Sequence, residues 1–139
     1  MTDSEFLNAV RDALEFLTPL LDRLSSEVIN AVYGGKKVPQ EVINSLDLAI
    51  NLVEGLKTTT ETEAQRLGIS LPEANEGYEA TSVFDVVGLI ETARLSTMNL
   101  SSAVINYHED PEGTLKIVHY IVSDILNQLR AIREVIAVL

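Results

Sequence analysis

The chain contains no cysteine, no tryptophan and only two histidines in 139 residues. Without thiols it cannot form disulfides, thiolate nucleophiles, cysteine zinc sites or iron–sulfur clusters. Aromatic residues make up only 5% of the chain, whereas hydrophobic residues make up 46%. The core must therefore be built from Leu, Ile, Val and Ala, a composition suited to packed helices rather than to a β-sandwich. Basic residues are also few: 10 Lys and Arg stand against 21 Asp and Glu, for a net charge of −11. Such a field repels phosphate backbones and anionic lipid, so nucleic acid and membrane surfaces are not expected partners. No apolar run approaches the ~18 residues of a membrane span. The start, "MTDSEFLNAV", lacks the basic and apolar regions of a secretory leader, and a cytoplasmic location is expected.

What is present is helical periodicity. Phe6, Val10, Ala13, Leu17, Leu20 and Leu24 recur at alternating spacings of four and three, with Leu7, Leu14, Leu21 and Val28 as a second stripe beside them. Ser4 is placed to cap this first helix. Pro19 lies inside it, and a kink is expected near Glu15–Leu20. "YGGKKVP" ends the helix, with Gly34 and Gly35 for the left-handed cap and Pro39 to open the next. The second helix, about residues 39–67, carries Val42, Leu46, Ala49, Val53 and Leu56 and then turns polar in "KTTTETEAQR". Gly68, Pro72 and Gly77 mark a connecting loop. Thr81 or Ser82 can cap a third helix, striped by Val83, Val86, Ile90, Ala93, Thr97, Leu100, Val104 and Tyr107. After a turn at "YHEDPEG", the fourth repeats Val118, Val122, Ile125, Leu129, Ile132, Ile136 and Leu139, widened by Ile117, Ile121 and Val135.

"SSEVIN" at residues 25–30 returns as "SSAVIN" at 101–106. The same offset lays Val10 on Val86, Leu14 on Ile90, Glu15 on Glu91, Val42 on Val118 and Asn51 on Asn127. Apolar matches come free with any shared helical period, but the polar matches at Ser25, Ser26 and Asn30 do not. The expected fold is all-α: an antiparallel up-down-up-down four-helix bundle forming one domain over 1–139, readable as two tandem αα-hairpins, at about 4–67 and 81–139, joined by a loop over 68–80.

Few residues could support chemistry. His108 and His119 are eleven apart, and neither follows a Glu by three residues, as carboxylate-bridged metal bundles require. No Gly-x-Ser-x-Gly elbow is present. "YGGKK" is too short for a phosphate loop and is explained by helix capping. Histidine phosphotransfer would need small residues around an exposed His, and these are absent around His119. No metal, cofactor or catalytic group is expected, and a non-enzymatic role is indicated.

One stretch resists a purely structural reading. "ETARLSTMNLSS" places Glu91, Arg94, Thr97 and Ser101 on or beside the core stripe of the third helix. Arg94 can pair with Glu91 one turn back. Alternatively, with Thr58 and Thr62 of the second helix, these residues line a polar pocket for a small anionic or hydroxylated ligand. The apolar stripes of the first and fourth helices are wider than one bundle core consumes. Leu7, Leu14, Leu21, Ile117, Ile121 and Val135 are thus candidates for an interface. The leading expectation is an interaction or scaffold module that forms a homodimer or binds a protein partner. A ligand-sensing bundle with its pocket at Arg94 and an acidic inhibitor of a basic partner are the alternatives.

Overall fold

The four apolar stripes become four helices in a computed structural model of the chain, which describes residues 3–73 and 83–138. They are α1 (Asp3–Gly34), α2 (Gln40–Arg66), α3 (Val83–Ala103) and α4 (Pro111–Ile136), with a single 3-10 turn at Val104–Asn106 after α3. The chain is an all-α four-helix bundle. The connecting residues 74–82, where Gly77 and the Thr81 or Ser82 cap were expected, lie outside the described residues, as do Leu139 and the Ser4 side chain.

Local sequence explains the helix ends. α1 runs without interruption through Pro19, which sits on its exposed face. At its end Gly35 takes a φ of +66°, the left-handed conformation that a Cβ disfavours. Pro39 precedes the first turn of α2. Two backbone bonds close the other end of α2, from Ile69 N–H to the Ala64 carbonyl at 2.8 Å and from Gly68 N–H to the Gln65 carbonyl at 3.2 Å. With Gly68 at φ +71°, this is a Schellman cap. Asp110 caps α4 by accepting from Gly113 N–H at 3.0 Å, and Pro111 occupies the first turn, where its missing donor is harmless.

The bundle is square in section, each helix neighbouring two others: α1 lies against α2 and α3, and α4 against the same two. Cross-helix pairs fix the directions. Asp22 meets Arg94 and Ser25 meets Glu91, so α1 and α3 are antiparallel. Asp47 meets Arg133 and Glu61 meets His119, so α2 and α4 are antiparallel as well. The expected bundle and its αα-hairpins are therefore present, but the helix order is up-down-down-up, not up-down-up-down. α2 and α3 point the same way across a diagonal, and the connection between Leu67 and Val83 joins opposite ends of the bundle. Bundles with one long crossover are built this way, and a stretch of this length can span the bundle at about 3.3 Å per residue.

Phe6, Leu17, Leu24, Leu46, Ile90, Leu100, Ile125, Leu129 and Ile132 are fully enclosed in one core. The stripe of α2 continues past Leu56 into its polar half, where Thr60 and Glu63 are both 0% exposed. The Thr60 hydroxyl donates to the Leu56 carbonyl at 2.8 Å, which removes most of the penalty of burying it.

Candidate functional site

Between the exposed edges of α1 and α3 lies an open groove of about 390 Å³. α1 supplies Leu14, Thr18, Leu21 and Asp22 to it, and α3 supplies Arg94, Thr97, Met98 and Ser101. Helical period places these side chains together. Leu14, Thr18 and Leu21 step by four and three along α1, as do Arg94, Thr97 and Ser101 along α3.

The polar groups of the groove are largely committed. Arg94 holds Asp22 across the helix interface at 2.9 Å and Glu91 one turn back at 3.1 Å. The pairing with Glu91 is the simpler of the two arrangements open to Arg94 from sequence, and Asp22 is a second partner that sequence reasoning missed. Its signal was spacing alone, since Asp22 lies one residue from Leu21 on the flank of the first stripe. The Thr18 hydroxyl donates to the Leu14 carbonyl at 2.9 Å and the Thr97 hydroxyl to the Ala93 carbonyl at 2.8 Å. The groove therefore offers a paired guanidinium and two bonded threonine hydroxyls, with Leu14 and Met98 as its accessible apolar surface and Leu21 behind them. No histidine is among the described residues that line the groove.

Of the six residues expected to share a pocket, the structure brings Arg94, Thr97 and Ser101 to one groove and leaves Glu91 one turn away as the partner of Arg94. Thr58 and Thr62 do not join them. Both are exposed on α2, which runs parallel to α3 on the bundle diagonal; an antiparallel arrangement would have been needed to bring them near Arg94. Thr58 instead donates to the Glu54 carbonyl at 3.2 Å.

The expected interface residues divide in the same way. Leu21 is only 1% exposed and belongs to the core, which corrects its assignment to an outer face. Leu7, Leu14, Ile121 and Val135 are half-buried and pack against that core; only Ile117, at 52%, is fully on the surface. Most of the broad stripes of α1 and α4 is covered because each of these helices packs against two others. Exposed apolar side chains remain on every helix, among them Tyr33 on α1, Leu48 on α2 and Tyr120 on α4; on α3 and in the 3-10 turn after it, Leu95, Met98 and Ile105 are 61%, 66% and 76% exposed.

A second polar group of residues lies at the end of the bundle where α1 starts. Glu63 is a fully enclosed carboxylate, held by Arg66 and by the Tyr107 hydroxyl, which donates to it at 3.1 Å. The Arg66 guanidinium beside it, outweighing the cost of burial, keeps the Glu63 carboxyl below its ordinary range. Tyr107 stacks on Phe6 with ring centroids 5.1 Å apart, so the network ties α1, α2 and the turn after α3 together. His108 is exposed in the turn before α4, and the buried His119 faces Glu61 on α2 at 3.3 Å. Among the described residues no three His, Asp or Glu side chains converge as metal ligands would, and no helix is long and apolar enough to cross a membrane.

No family model matches the chain, and neither a curated protein nor a solved structure shows significant similarity to it.

Proposed function

We propose that this protein is a non-enzymatic interaction module that pairs with a second copy of itself through the outer face of α3 and the groove beside it. The observation that carries this reading is the charge pattern of α3. Charged residues make up 22% of the chain, yet the 14 residues from Leu95 to His108 contain no Asp, Glu, Lys or Arg, the longest such stretch in the sequence. That stretch also carries the most exposed apolar side chains of α3. Two copies of a chain with a charge of −11 repel each other almost everywhere. They can approach where charge is absent and apolar surface is gained. A basic partner, in contrast, would seek carboxylates, and those near the groove are already tied to Arg94. Among the described residues that line the groove, the one cation is thereby paired, which disfavours a small anionic ligand there.

Native mass spectrometry and sedimentation equilibrium of the wild type and of Met98→Glu test the reading. The wild type is expected as a dimer, and Met98→Glu as a folded monomer with unchanged helical circular dichroism. A wild type that stays monomeric at tens of micromolar overturns it, as does a Met98→Glu variant that dimerises equally well.

A further inference from the structure

The self-association reading leaves the geometry of the pair open, and the surface of α3 constrains it. The outer face reads Glu91, Leu95, Met98, Ser102 and Ile105, spaced by four, three, four and three. This is the seam spacing of one helix lying along another, and here it faces solvent. Large and small residues alternate along it: Leu95 and Met98 are followed by Ser101 and Ser102, all four exposed.

We infer that α3 packs antiparallel against its own copy, with Met98 on the two-fold axis and Leu95 of each chain seated over Ser101 and Ser102 of the partner subunit. The inference rests on the self-association reading above. Three observations favour this arrangement over the others. An antiparallel pair centred on Met98 sets each Leu95 opposite small side chains, at the mouth of the groove floored by Leu14 and Leu21, so a knob meets a hole. A parallel pair in register would set Leu95 on Leu95, with the small residues facing each other across a gap. Charge decides in the same direction. In register and parallel, Arg94 would lie beside the partner's Arg94 and Glu91 beside the partner's Glu91. In the antiparallel pair each Arg94 faces the partner's Ser102, about 12 Å along the axis from the other guanidinium, and keeps its own Asp22 and Glu91. An isologous contact of this kind closes at two copies.

The absence of cysteine makes a direct test possible. Single variants Met98→Cys, Ser102→Cys and, as an exposed control on α2, Leu48→Cys are each oxidised mildly in the full chain at equal concentration. A disulfide forms only where the two thiols come within reach. Met98→Cys is expected to cross-link to itself at least tenfold faster than the other two. Fast cross-linking at both Met98→Cys and Ser102→Cys signals a parallel pair and overturns the inference. A wild type that is dimeric while Met98→Cys cross-links no faster than Leu48→Cys places the contact on another face; this sinks the inference and leaves self-association standing. A monomeric wild type removes both.

Discussion

Glu54 on α2 forms an ion pair with Arg130 on α4, and the two residues are 76 positions apart in the chain. That is the offset separating "SSEVIN" from "SSAVIN", so the pair joins two positions that the repeat makes equivalent. The pairs Asp22–Arg94 and Ser25–Glu91 centre the α1–α3 contact at the level of Leu20 and Ser96, again 76 apart. Equivalent positions meet one another only near a two-fold axis, and the two hairpins are packed as such an axis would place them: α1 antiparallel to α3 and α2 antiparallel to α4. The hexapeptides lie near the ends of the first helix of each hairpin, residues 25–30 within α1 and residues 101–106 across the end of α3 and the 3-10 turn.

Tyr107→Phe removes the hydroxyl that donates to the enclosed Glu63 while keeping the ring on Phe6. A hydrogen bond to a buried charge contributes about 1.5–3 kcal/mol. The variant is expected to lose stability of that order in urea denaturation monitored by circular dichroism. A loss below about 0.5 kcal/mol would mean that Arg66 alone satisfies the carboxylate.

The same carboxylate gives stability a dependence on pH. The folded state holds Glu63 below its ordinary value of 4.5. Its contribution is therefore fully present above about pH 5 and fades as the pH falls from 4.5 through the lowered folded value. Glu63→Gln should unfold at a lower urea concentration than the wild type at pH 7, and the gap should narrow as the buffer is taken to pH 3. An unchanging gap would separate the carboxylate from the acid response.

Gln128 on α4 is fully enclosed, and among the described residues neither polar atom of its amide has a hydrogen-bond partner. An unsatisfied buried polar group costs about 1–3 kcal/mol, and an apolar side chain of similar shape avoids that cost. Gln128→Met is expected to raise stability by about 1–2 kcal/mol. Destabilisation would show that the amide is bonded in solution.

Pro19 stands on the exposed face of an unbroken helix, where it cannot donate to the preceding turn. A proline in a helix interior is about 3 kcal/mol less favourable than alanine. Pro19→Ala should therefore raise the free energy of unfolding by about 1–3 kcal/mol, without moving the oligomeric state. A change in dimerisation would instead give the proline a part in the shape of the α1–α3 groove.

Arg94→Leu tests the groove. Arg94 is 41% exposed and its partners more so, and ion pairs at such surfaces contribute about 0–1 kcal/mol. The variant is expected to fold with nearly wild-type stability and, by adding apolar surface beside Met98, to dimerise at least as tightly. Loss of folding would make the Asp22–Arg94–Glu91 cluster a structural network.

Much of the fold is legible in the chain itself. The spacing of Val118 through Ile136 is enough to make α4 a helix, and Gly34–Gly35 and Pro111 are enough to bound its neighbours, because helical period and backbone sterics act over a few residues. Glu63 could have been found by continuing the stripe of α2 from Val53 and Leu56, although nothing local identified Arg66 and Tyr107 as its partners. The stripe widths of α1 and α4 were visible, but not what consumes them: Leu21 and Ile121 face inward because each helix has two neighbours. The direction of α3 depends on which end of the bundle the long connection reaches. Both directions bury the same apolar stripe, so no local preference distinguishes them. Pairing across the bundle does, through Asp22 with Arg94 and Asp47 with Arg133. That choice separates Thr58 and Thr62 from Arg94, opens the groove between α1 and α3, and leaves Leu95 and Met98 facing water. The sequence by itself determined four amphipathic helices and the charge-free stretch that begins at Leu95 in the third. Only tertiary packing, through contacts between residues 58 to 86 apart, decided which faces were left uncovered.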